Sequence, residues 1–70
     1  MEKVSAHITG TVARIEKKPG DPVSPGDVVV ILESMKMEMP VEAAVTGQVK
    51  EIRCAEGQPV SEGDLLAVIE

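Results

Sequence analysis

A chain of 70 residues with a net charge of −5 has room for one small domain, and its acidity argues against a nucleic-acid partner. It contains no Phe, Tyr or Trp, so no ring is available to stack on bases, and the core must come from Val, Ile, Leu, Met and Ala. Hydrophobic residues make up 43% and charged residues 27%, the balance of a folded domain, and no apolar run approaches the roughly 20 residues that span a bilayer.

The N-terminus, Met1-Glu2-Lys3-Val4, has neither the apolar stretch of a signal peptide nor the basic amphipathic character of a leader. Cys54 is the single cysteine, so no internal disulfide can form. Both features predict a cytoplasmic location.

The first structured stretch runs from Ala6 to Glu33. A short strand leads to Thr9-Gly10, where Gly10 is expected to supply positive φ at a tight turn. A second strand carries Val12 and Ile15, whose opposite parity requires a bulge or bend. Gly20 to Asp27 holds three prolines' worth of turn chemistry with its neighbour Pro19, and Gly26-Asp27 lies just before the apolar run Val28–Leu32. That run is five aliphatic residues bounded by turns, which fits a buried strand better than a helix.

Residues 34–42 form a link, Ser-Met-Lys-Met-Glu-Met-Pro-Val-Glu, with Lys36 at the centre of a tight hairpin. Met39, Val41 and Ala43 then alternate with Glu38, Pro40 and Glu42, giving a strand with one apolar face. Pro40 lacks an amide proton and belongs on a sheet edge.

Residues 43–70 repeat residues 6–33 at a constant offset of 37, without a gap. Thr9-Gly10 matches Thr46-Gly47, and Val12 and Ile15 match Val49 and Ile52. Pro22-Val23-Ser24 matches Pro59-Val60-Ser61, and Gly26-Asp27 matches Gly63-Asp64. One copy cannot cover its own apolar face, so the two copies pack through an approximate two-fold axis. The expected fold is all-β: a flattened barrel or sandwich of two antiparallel sheets, about four strands from each copy, in a single domain over residues 1–70.

A lysine in a turn is ordinarily solvated surface, and methionines ordinarily fill cores. Met35 and Met37 fit a core poorly, because they flank the apex of a hairpin, and exposed apolar pairs mark recognition surfaces. Glu33-Ser34-Met35-Lys36-Met37-Glu38 resembles the attachment motif of biotin-dependent carboxylases and decarboxylases, centred on Met-Lys-Met. The whole chain resembles the biotinyl/lipoyl domain, a barrel-sandwich hybrid with two quasi-symmetric halves and the modified lysine on the hairpin that joins them. The resemblance implies that Lys36 carries covalent biotin, attached by biotin protein ligase. It implies that Met35 and Met37 are recognised by the ligase and partner enzymes, and extends a recognition role to Glu33 and Glu38. It further implies a carrier without catalysis of its own, shuttling a carboxyl group between a biotin carboxylase and a carboxyltransferase. A monomer is the expected state. The chain departs from the family pattern at Ser34, where Ala is common, and at His7-Ile8-Thr9-Gly10, where a Met-Pro-Gly turn is usual.

Two other readings share the fold. A lipoyl domain also presents a hairpin lysine, but usually between Asp and Ala, whereas here both neighbours are Met. An unmodified interaction module would carry no acyl group at all. Nothing else in the chain has the arrangement of a catalytic site. His7 is the only histidine and reads as a surface or turn residue, Cys54 reads as a small strand residue, and no zinc cluster is possible. Asp27 and Asp64 are repeat-related turn residues, not an acid–base pair.

Overall fold

The offset of 37 in the sequence becomes an approximate two-fold axis in the computed structural model, which describes residues 1–70. Eight strands follow in chain order: β1 (Glu2–Ser5), β2 (Gly10–Ile15), β3 (Pro22–Val23), β4 (Val28–Ser34), β5 (Met37–Glu42), β6 (Gly47–Ile52), β7 (Pro59–Val60) and β8 (Leu65–Ile69). They form two four-stranded antiparallel sheets, ordered β1-β8-β6-β3 and β5-β4-β2-β7. The all-β sandwich predicted from the repeat is therefore the observed fold.

The symmetry reaches further than the sequence repeat. Adding 37 to each position of β1 gives Met39–Glu42, the second half of β5, with Val4 and Val41 as buried equivalents. The link read as residues 34–42 thus belongs partly to the second copy. The short strand expected just before Thr9 is not formed; β1 ends at Ser5 and residues 7–9 make a bend.

Each sheet takes two strands from each copy. Backbone hydrogen bonds cross between copies in matched pairs. Gly20 N donates to Val49 O at 2.8 Å, and Gly57 N donates to Val12 O at 2.7 Å. Ala43 N donates to Asp27 O and Ala6 N to Asp64 O, both at 2.8 Å. Neither copy can satisfy its own backbone polar groups, so the two are obligate partners.

The parity conflict in the second strand of each copy is resolved by the predicted irregularity. Val12 pairs with Leu32 and Arg14 with Ile31, which leaves Ala13 as the extra residue. Val49 pairs with Ile69 and Glu51 with Val68, which leaves Lys50 extra at the equivalent position. The bulge lets Val12 and Val49 be buried while Ile15 and Ile52, three residues on, still reach the core from its margin.

The core contains only aliphatic side chains, with Leu32, Leu66, Ile69, Val12, Val29, Val30 and Val49 almost wholly removed from solvent and no buried polar side chain. Burial of one such side chain contributes about 1.5–3 kcal/mol. Asp27 and Asp64 close the turns before β4 and β8: each Oδ2 accepts from the amide of Ser24 or Ser61 at 2.8 Å.

The reason for glycine at positions 10 and 47 differs from the expectation. Neither has positive φ; that conformation occurs at Gly20, Gly26, Gly57 and Gly63. Gly10 and Gly47 are instead sites of close approach. A Cβ at Gly10 would lie 2.5 Å from the carbonyl oxygen of Glu33, and one at Gly47 would collide with that of Glu70.

Candidate functional site

The β4–β5 hairpin carries the residues singled out by the sequence. Its last cross-strand pair is Ser34 with Met37, so the loop consists of Met35 and Lys36 alone. Both residues have positive φ, 53° and 66°, the left-handed pair required by a type I′ turn. Such turns match the right-handed twist of the flanking strands. Asn-Gly is the usual occupant; a Cβ-bearing residue in this region costs roughly 1–2 kcal/mol. Met35 and Lys36 are the only non-glycine residues of the chain with positive φ. Strain of this kind persists only where the surrounding structure holds it, and it clusters at functional sites.

Alternation along the hairpin sorts its side chains. Leu32 pairs with Met39 and Ser34 with Met37 on the face that lines the core further down the strands. Beyond the core this face emerges into solvent, and Met37 is 59% exposed. Met35, at the apex, is 91% exposed. The core-filling reading of these two methionines is thereby excluded, while Met39, paired with Leu32, is partly buried. Lys36 is exposed and enters no ion pair or side-chain hydrogen bond.

Glu33 and Glu38 form a cross-strand pair on the outer face, directly opposite each other. Like charges so placed repel. Arg14 on β2 reaches over β4 and sets a guanidinium nitrogen 3.5 Å from Glu38, with a second contact of 3.4 Å to Glu16. Sequence reasoning missed Arg14, because its approach to Glu38 depends on the order β5-β4-β2. It noticed Gly10 only as a turn residue and not for its close approach to Glu33 and Ser34 at the root of the hairpin.

The remaining candidates lie elsewhere. His7 is exposed in the bend before β2. Cys54 is half-buried after β6, and desolvation raises its thiol pKa above the ordinary value. Asp27 and Asp64 serve different turns. No pocket indents the surface.

What this arrangement offers chemically is a primary amine on a flexible stem, held at the tip of a rigid hairpin and framed by two exposed thioethers. The family described as "Biotin-requiring enzyme" matches residues 2–69. Biotinylated protein TB7.3 of Mycobacterium tuberculosis is 52% identical over 42 residues, which cover 60% of this chain and 59% of that protein. The matched segment therefore spans about three-fifths of that relative's length. Among solved structures, urea carboxylase of Kluyveromyces lactis superimposes with a TM-score of 0.93 and 40% identity, over 99% of this chain and 6% of that one. The lipoyl domain of the 2-oxoglutarate dehydrogenase complex of Azotobacter vinelandii gives 0.76 and 32%, over 96% and 95%.

Proposed function

Because this chain belongs to the biotin–lipoyl attachment family, we propose that it is a biotin carboxyl carrier whose acceptor is Lys36. The observation that carries the reading is the placement of Met35-Lys36-Met37 on the strained, exposed apex of the β4–β5 hairpin. The amine is accessible and unpaired, so an acyl donor can approach it without first breaking an ion pair. A biotin protein ligase would supply the activated acyl group. The Lys36 Nζ forms the amide, the acyl–phosphate bond breaks, AMP leaves, and the amine proton passes to the ligase. Met35 and Met37 provide the apolar contacts that identify the site, with Glu33 and Glu38 as the polar rim.

With no pocket to enclose a small molecule, retention by a covalent bond suits this surface. Bound at Lys36, biotin supplies a ureido nitrogen that takes up and gives back a carboxyl group. The chain contributes the mobile lysine stem and the rigid turn beneath it. Tethering raises the effective concentration of the cofactor at successive active sites. The chain itself is not the catalyst. A biotin carboxylase and a carboxyltransferase are its proposed partners, in keeping with the similarity to a carboxylase. A cytoplasmic location and a monomeric state belong to the same reading.

The likeness to a lipoyl domain favours a second reading, in which Lys36 carries lipoate. The two methionines beside Lys36 weigh against it. Intact mass after co-expression with a biotin ligase, followed by peptide mapping, tests the choice. One biotin increment on Lys36, lost in Lys36→Arg, is expected. An unmodified mass overturns the carrier reading, and a lipoate ligase then tests the second.

A further inference from the structure

We propose that Met35 and Met37 are sites of peroxide oxidation, and that their sulfoxides close the acceptor hairpin to the enzyme that loads it. The proposal rests on the reading of Lys36 as acceptor. The chain has four methionines, and their settings differ. Met35 and Met1 are 91% and 84% exposed, Met37 is 59% exposed, and Met39 is partly buried. Only Met35 and Met37 adjoin Lys36.

The chemistry needs a hydroperoxide as co-reactant. The thioether sulfur attacks the outer peroxide oxygen, the O–O bond breaks and an S–O bond forms. Sulfur loses two electrons, the peroxide is reduced, and water or an alcohol leaves. A flexible apolar side chain becomes a polar, chiral hydrogen-bond acceptor on each side of the lysine. Neither side chain belongs to the buried cluster, so the change falls on the recognition surface and spares the core. The one thiol, Cys54, is half-buried and its pKa is raised by desolvation, which lowers its reactivity toward peroxide. Beside Lys36, oxidants therefore act at Met35 and then at Met37.

Graded hydrogen peroxide on the full chain tests the gate. Sulfoxide is mapped at each methionine, and biotin incorporation by a ligase and thermal unfolding are followed in parallel. The expected order is Met35 and Met1 first, Met37 next and Met39 last. The incorporation rate should fall about tenfold in step with sulfoxide at Met35 and Met37, with the unfolding temperature unchanged. Methionine sulfoxide reductases should restore it. In the Met35→Leu, Met37→Leu double variant, the ratio of rates before and after peroxide should return to one, whatever its starting rate. Unaltered incorporation by the oxidised protein overturns the gate and leaves the carrier reading standing. A loss that follows Met1 or Met39, or that accompanies unfolding, also overturns it. Absence of biotin on the reduced protein removes the carrier reading, and the gate with it.

Discussion

Gly10 lies against Glu33 so closely that an added methyl would stand 2.5 Å from the Glu33 carbonyl oxygen, two residues before the hairpin apex at Met35. Its equivalent, Gly47, has the same relation to Glu70. The pair is a natural control. Gly10→Ala must push β4 away at the root of the hairpin, whereas Gly47→Ala pushes on Glu70, the residue after β8, and on the Ile69 side chain at the end of β8. Both substitutions should cost about 1–3 kcal/mol, the usual penalty of overpacking. Only Gly10→Ala should also slow biotin incorporation in protein that remains folded. Urea unfolding and ligase kinetics on the two variants check this, and equal kinetics would show that the contact does not position the lysine.

Met35 holds φ of 53°, a region that suits Asn far better than an unbranched apolar side chain. Met35→Asn should therefore raise the unfolding free energy by about 0.5–1 kcal/mol, part of the left-handed penalty. It should at the same time impair modification of Lys36, since an apolar contact is lost. Chemical denaturation and mass spectrometry read the two effects separately. A variant that is both less stable and fully modified would place Met35 in a structural role.

Asp27 and Asp64 each accept an amide hydrogen bond of 2.8 Å in equivalent turns. Replacing either with Ala should cost about 1 kcal/mol, and the two costs should add because the turns share no partner. Neither change should alter labelling of Lys36. Urea midpoints of the single and double variants are the measurement.

Burial pushes the Cys54 thiol above its ordinary value of 9.0. The folded chain keeps a proton that the unfolded chain gives up more readily. The resulting stability is complete below about pH 9 and is lost as pH rises through the folded value. The unfolding midpoint should therefore fall more steeply above that pH in the natural chain than in Cys54→Ser. Identical slopes would mean that the half-buried thiol is solvated.

The repeat made most of the fold legible, because each apolar run demands a partner face and the second copy supplies it. The bulges were legible for a related reason: Val12 and Ile15 cannot both turn inward along a regular strand. Val4 and Val41 were not recognised as equivalents, since Glu2–Ser5 and Met39–Glu42 share too few residue types to reveal their common place. At the site, the apex position and exposure of Met35, Lys36 and Met37 follow from the shortness of the link. Arg14 could not be found in this way. Its meeting with Glu38 joins residues two strands apart in a sheet, and linear spacing carries no trace of that. The glycines were noticed for the wrong reason, because a sequence records that a side chain is missing but not which neighbour occupies the space.

The exchange of strands between copies bears on how the molecule opens. Both sheets draw on both copies, and the paired amides of Gly20 and Gly57 tie each to the other. Neither copy can come loose while the other stays closed, so slow amide exchange should be lost across β2, β4, β6 and β8 in a single concerted event. The hairpin tip rides on this one cooperative unit. Its lysine samples space by rotating its own stem rather than by melting of the strands below, so the reach of the arm should change little with temperature until the whole domain gives way.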